Sequence, residues 1–294
     1  MSTSTPEEPQ TPAMFPSAAW PVAEVQAGQV ELRAAIAAAR AGGAAIMRRL
    51  RDSDLRVRYK DGRANLVTAA DIESQRAVTA MIRSQFPHHA VVGEEGSAGD
   101  TGAPRVWYVD PLDGTTNFSR GLPFFCVSVA LREYGRVVAG AVYDPVRDEM
   151  FAARAGGGAT LNGAPLRVSE VDRLDRALVV AQAQTVVPAE IQAYANLVGR
   201  LMSVTAGVRS LGSPALTLCA IAAGRLEAYC EYTMDAWDIL AGQLILTEAG
   251  GTLTLFDGRP HVTADRADVV ASNGRIHAAL IDVLRDLDRV TPTG

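Results

Sequence analysis

The sequence has little cysteine and nothing arranged to use it. Cys126, Cys219 and Cys230 are odd in number, and no pair has CxxC spacing. A disulfide framework and a thiolate zinc site are both disfavoured, which leaves three small core residues in a reducing compartment. Long apolar runs are also missing. None approaches the ~20 residues a bilayer span needs, so no membrane partner is expected. Positive charge is absent from the opening segment, where the first basic side chain is Arg33. A secretory signal needs a basic n-region, so the expected location is cytoplasmic. Basic charge is not in excess overall: the net charge is −5, which argues against nucleic acid bound on a broad basic face. His88, His89, His261 and His277 show no ligand spacing and read as surface residues.

What is present suits a large soluble protein. The 294 residues are 48% hydrophobic and 21% charged, and a chain of that size buries roughly three quarters of its extended surface. Residues 1–23 carry Pro6, Pro9, Pro12, Pro16 and Pro21 and read as a disordered leader. Apolar residues at helical period run from Glu24 to Leu50. Residues 56–68 read as a hairpin or a mobile loop, and a second helix begins near Asp71 and stops at Pro87. Strands follow at Ala90–Gly93, Arg105–Asp110, Phe124–Arg132, Arg136–Tyr143 and Glu149–Ala153. Gly156-Gly157-Gly158 and Asn162-Gly163 mark turns. A glycine triplet could also cradle a phosphate. Beyond residue 177, strands at 177–181, 226–230, 252–256 and 268–271 alternate with helices at 188–202, 214–223, 238–249 and 275–288. The fold class is mixed α+β in layers. An N-terminal α+β subdomain spans 24–175, and a C-terminal α/β subdomain spans 176–290.

The chemistry concentrates between Gly93 and Phe118. An apolar strand, Val106 to Val109, runs into Asp110, and Pro111 then turns the chain so that Asp113 brings back a second carboxylate. The strand Ala90 to Val92 leads to Glu94 and Glu95. Several carboxylates at one sheet edge repel each other unless a cation lies among them. Oxygen ligands without Cys or His suit Mg²⁺ or Mn²⁺ better than Zn²⁺, and the Leu112 carbonyl is free to add another oxygen. Gly114-Thr115-Thr116-Asn117 follows, where backbone N–H groups could hold a phosphate. Together these features describe metal-assisted phosphoryl hydrolysis. Asp-Pro and Asp-Gly alone are equally at home in an ordinary Asx turn.

The longer string narrows the choice. Val109-Asp110-Pro-Leu-Asp113-Gly-Thr-Thr-Asn-Phe118 resembles the first signature of the inositol monophosphatase family. Gly93-Glu94-Glu95 resembles the family's Gly-Glu-Glu motif, and Leu66-Val-Thr-Ala-Ala-Asp71 its Leu-Val-Thr-x-x-Asp motif. Ala236-Trp-Asp238, with Ala241-Gly242 and Glu248-Ala-Gly-Gly251, resembles the second signature. The resemblance covers about residues 24–290 and implies a five-layer αβαβα sandwich, lithium sensitivity and a homodimer.

By that resemblance, Glu94, Asp110, the Leu112 carbonyl, Asp113 and Asp238 would hold two magnesium ions. A third would belong to the loop near Lys60. Asp71 would accept the proton of Thr115, whose hydroxyl would touch the attacking water. Glu94 is counted with this catalytic group. Asp113, Gly114, Thr115, Gly212, Ser213, Glu231 and Asp238 would surround the substrate, a small-molecule phosphate ester. Arg209 would pair with Glu231. Asp71 and Asp238 each also look like helix N-caps. Asn65, Pro214 and Asp235 depart from the usual family residues, the last two on the substrate side.

The activity implied is hydrolysis of myo-inositol monophosphates or related sugar phosphates. Fructose 1,6-bisphosphate, histidinol phosphate and 3′-phosphoadenosine nucleotides are alternatives. A regulatory binding protein on the same scaffold is an alternative of another class.

Overall fold

The computed structural model describes residues 22–50, 58–59, 66–183, 185, 187–261 and 266–285. The leader as far as Pro21, and Lys60 and Asn65, lie outside the described residues. Helix α1 (Val22–Arg49) is rich in alanine, which favours helix and keeps its surface narrow. Ala34, Ala35, Ala38, Ala39, Ala45 and Ile46 are buried. The helix therefore lies close against α2 (Ala69–Gln85). At Gly42 a Cβ would stand 2.7 Å from Ser74 Oγ and 2.8 Å from Val78 Cγ2, so the approach requires glycine. Between these helices β1 (Arg58–Tyr59) pairs antiparallel with β2 (Leu66–Val67), as the hairpin reading expects.

The large sheet contains β3 (Ala90–Gly93), β4 (Gly96–Ala98), β5 (Arg105–Asp113), β6 (Cys126–Glu133), β7 (Arg136–Asp144), β8 (Glu149–Arg154), β9 (Ala159–Leu161) and β10 (Ala164–Pro165). Their order is β10-β9-β8-β7-β6-β5-β3-β4. β3 and β5 are parallel, and the other pairs are antiparallel. A short helix, α3 (Thr115–Ser119), follows β5. The second sheet, β12-β11-β13-β15-β14, contains β11 (Leu178–Gln182), β12 (Gly207–Arg209), β13 (Ala228–Met234), β14 (Thr252–Leu255) and β15 (Ala267–Ser272). Its helices are α4 (Pro188–Met202), α5 (Pro214–Ala222), α6 (Ala236–Glu248) and α7 (His277–Leu284).

Three apolar clusters define the layers. On one face of the large sheet, Val78 and Ile82 of α2 join α1 against Trp107, Val109, Val127 and Val129. On the other face, Leu218 of α5 and Ile239 and Leu244 of α6 meet Val106, Tyr108 and Val142. That cluster continues to Val180, Tyr229 and Val269 of the smaller sheet. On the far side Leu197 and Leu201 of α4 and Leu280 of α7 pack on Val179, Cys230 and Val270. The result is the expected αβαβα sandwich. α5 and α6 are apolar on nearly every side because sheets cover both of theirs.

Four short strands, β4, β9, β10 and β12, fall where the sequence reading had none. All three cysteines are buried and unpaired. Of the histidines read as surface residues, only His88 is fully exposed. His89 Nδ1 accepts from Trp107 Nε1 at 3.1 Å, and His261 is buried beside Gln243. His277 bridges Ser272 and Thr254. Among the described residues, no helix is long and apolar enough to cross a membrane.

Candidate active site

β5 does not turn at Pro111, as the sequence suggested, but continues to Asp113. Asp110 pairs with Ser128 and Asp113 with Cys126, so three steps along β5 match two along β6. This is a β-bulge, and Pro111, which has no N–H for the ladder, stands inside it. In a regular strand, residues three apart face opposite sides. The extra residue returns Asp113 to the side of Asp110, which faces the α5–α6 layer. Leu112 falls on the other side, in the α1–α2 core. Parallel pairing of Gly93 with Val109 then brings Glu94 beside Asp110.

Asp238 enters from the smaller half of the fold. It is not the N-cap of α6 but lies within the first turn. Asp235 caps the helix, and its backbone N–H donates to Asp238 Oδ2 at 3.0 Å. Asp71 likewise lies inside its helix rather than at the cap. Thr68 is the N-cap of α2, and Asp71 closes a capping box from three residues on. Thr68 donates to Asp71 Oδ2 from its backbone N (2.7 Å) and from Oγ1 (2.6 Å).

The Thr115 hydroxyl lies 2.9 Å from Asp71 Oδ1 and 2.9 Å from the Leu112 carbonyl. A hydroxyl has one proton. Given to Asp71, it leaves the oxygen's lone pairs to accept from a water. Burial pushes Asp71 up to about 6, while bonds from Thr68 and Thr115 pull the other way.

The electrostatics of the other acids share one cause. Burial raises Asp110 well above the usual carboxylate range, and Glu94, Asp113 and Asp238 raise it further. Asp238 is raised in the same manner by burial, Asp113 and Glu94. Burial lifts Asp113 to about 6, against bonds from Ser213 Oγ (2.6 Å), the Ala215 N–H (2.8 Å) and Cys126. After burial, the neighbours that raise Asp110 and Asp238 are other carboxylates, so the chemistry of the donor set suits a hard divalent cation held by oxygen. Among the described residues, no three of His, Cys, Asp or Glu already close on one point as a cage.

The substrate side gathers around Gly212. Gly114 adopts φ 93°, and a Cβ there would lie 3.0 Å from the Phe124 carbonyl and 3.2 Å from that of Gly212. Asn117 Nδ2 donates to the carbonyls of Phe124 (2.8 Å) and Leu211 (2.7 Å), joining the first signature to the second sheet's loop. Ser213 is fully buried, its hydroxyl given to Asp113. Glu231 does not pair with Arg209, whose guanidinium donates to the Val208 carbonyl. Its partner is Gln182, whose Nε2 donates to Glu231 Oε2 at 2.7 Å. Burial pushes Glu231 up to about 8. Sequence reasoning missed Gln182 and the tethering role of Asn117, because both depend on strand register and loop approach. The glycine turn at 156–158 is already filled: Gly156 and Gly158 N–H groups donate to the Glu248 carboxylate at 2.7 and 2.8 Å.

The profile of the inositol monophosphatase family matches residues 29–289. The chain belongs to the inositol monophosphatase family. Similar family members include Nus factor SuhB of Pseudomonas aeruginosa, 38% identical, with 87% of this chain and 96% of that protein aligned. The solved inositol monophosphatase of Anabaena is 37% identical at a TM-score of 0.77, over 88% of this chain and 97% of that one. A staphylococcal IMPase-II bound to inositol monophosphate is 25% identical at a TM-score of 0.72, over 87% and 93% of the two chains. Both structures share the inositol monophosphatase fold described above.

Proposed function

We propose that this protein is a Mg²⁺-dependent phosphomonoesterase that hydrolyses myo-inositol monophosphates or related sugar phosphates. The observation that carries the reading is the Thr115 hydroxyl poised between Asp71 and the Leu112 carbonyl, beside the bulge that sets Asp110 and Asp113 on one face. Glu94, Asp110, the Leu112 carbonyl, Asp113 and Asp238 would hold the magnesium. When bound, the ions would polarise the ester and make water a better nucleophile. Asp71 takes the Thr115 proton and so turns the threonine lone pairs toward a water. The backbone N–H groups of Gly114 and Thr115 bind the phosphate. Gly212 and Glu231 meet the polyol, and Ser213 acts by holding Asp113.

The test is phosphate release with Mg²⁺ from inositol 1-phosphate, fructose 1,6-bisphosphate, adenosine 3′,5′-bisphosphate, histidinol phosphate and glycerol 2-phosphate. Preference for inositol 1-phosphate, with loss of activity in millimolar LiCl, is the expected result. A flat profile would make the protein a broad sugar phosphatase, and no release from any ester would remove the phosphatase reading.

The similarity to a protein named Nus factor SuhB favours a second reading, a regulatory binding role on the same scaffold. Asp113→Asn separates the two. A cellular function that survives loss of hydrolysis supports the binding role, and joint loss removes it.

A further inference from the structure

We infer that Gln182 is a positioning residue that fixes both polyol-facing elements of the site, Glu231 and the Gly212 loop, and thereby sets which hydroxyl pattern is accepted. The inference rests on the polyol-phosphate reading of this site. Gln182 is the last residue of β11 and is 3% exposed. Parallel pairing of β11 with β13 sets it directly beside Glu231. Its Nε2 donates to Glu231 Oε2 at 2.7 Å and to the Tyr229 hydroxyl at 3.2 Å. Its Oε1 accepts the Gly212 N–H at 2.9 Å.

Every polar atom of the amide is therefore used, and its orientation is fixed. Reversed, the carbonyl would face a carboxylate and the NH₂ group would face an N–H donor. The choice of an amide also matters for Glu231. A cation beside this acid would bind both of its oxygens, whereas an amide orients one oxygen and leaves the other for a ligand. Among the described residues Glu231 Oε1 takes no hydrogen bond. The loop is held just as tightly: Asn117 holds the Leu211 carbonyl, Gln182 the Gly212 N–H, and Asp113 the Ser213 hydroxyl. Of these three, only Gln182 also holds Glu231.

The experiment compares the wild type with Gln182→Met, Gln182→Glu, Glu231→Gln and the double variant Gln182→Met/Glu231→Gln. Inositol 1-phosphate is set against p-nitrophenyl phosphate, whose leaving group has no polyol to read. Methionine keeps the volume and removes the polar atoms. Gln182→Met should raise KM for inositol 1-phosphate about 10-fold, the scale of a hydrogen bond to a charged group, with kcat within about twofold. It should leave p-nitrophenyl phosphate unaffected. The double variant should lose less than the two single losses combined, because the residues share one hydrogen bond. Gln182→Glu keeps the acceptor for Gly212 but not the donors, and should lose selectivity too, which secures the test if the methionine variant does not fold. Equal losses on both esters, additive losses, or failure of both variants to fold would make Gln182 merely structural and overturn the inference. Unchanged selectivity in an active enzyme would overturn it alone. A wild type inactive on every ester would overturn the underlying reading with it.

Discussion

β5 and β13 are both irregular where they reach the site, and α2 and α6 both carry an aspartate three residues after their N-caps, yet the two halves reach opposite electrostatics. In β5 the irregularity lies between Asp110 and Asp113, and in β13 between Glu231 and Met234. Around the first, carboxylates face carboxylates. Around the second, the buried acid faces a neutral amide. The backbone devices are alike, and the chemistry of each region follows from what stands opposite the carboxylate. Repelling acids suit a cation, while an acid steadied by an amide suits hydroxyl groups.

The sharpest test of the comparison sets Asp71→Asn against Asp238→Asn. Both should lower kcat by about 10²–10⁴, the range of a proton-relay or charge-stabilising group. Only Asp238→Asn should weaken Mg²⁺ or Mn²⁺ binding by calorimetry, since Asp71 spends both oxygens on Thr68 and Thr115. Equal loss of metal affinity in the two variants would erase the distinction between their helices.

A smaller effect separates the caps. Thr68 is buried, accepts from the Ala70 N–H and donates to Asp71, so Thr68→Ala should cost about 1–2 kcal/mol. Asp235 caps α6 from a more exposed position that it shares with Arg266, and Asp235→Ala should cost less, about 0.5–1 kcal/mol. Thermal melts of the two variants decide it; equal shifts would make the capping boxes equivalent.

The smallest effect contrasts two histidines. Burial holds both His89 and His277 below the usual imidazole range. A lowered folded value means that the native state favours the neutral ring. The stability is present above the unfolded value near ~6.5 and is lost as pH falls through the folded one. His277 bridges two hydroxyls, at 2.9 Å each. His277→Gln should therefore flatten the acid limb of a Tm-against-pH curve more than His89→Gln does. The reverse order would show that the bridge matters less than the stacking of His89 near Phe86 and Trp107.

The long periodic elements were legible in the sequence. The sequence predicts α4 over 188–202 and the structure gives Pro188–Met202, because its apolar positions repeat at 3.6 residues between a proline and a polar stop. The acidic residues were legible because they cluster in short local strings. Strands of two or three residues, such as β10 and β12, are too short to show any period. Gln182 could not be read either, since its role comes from pairing with a residue 49 positions away. Arg209 differs from its expected role for the same reason: the resemblance that pairs it with Glu231 does not say that β11 lies between the two strands. The sequence points to the aspartates three residues on rather than to the caps themselves, Thr68 and Asp235. A capping box contains two polar residues, and sequence alone does not rank them.

The bulge in β5 also determines which length changes the gene can tolerate. Loops before and after the strand can gain or lose residues while β5 keeps its face. Between Asp110 and Asp113 the count itself carries the chemistry. Loss of one residue would leave two regular steps matched to two on β6, so both aspartates would still share a face, but the bulge that offers the Leu112 carbonyl between them would be gone. A frame-preserving deletion of one codon there would keep both carboxylates on their face and remove only the bulge, while a second deletion would make the aspartates neighbours and turn them to opposite faces.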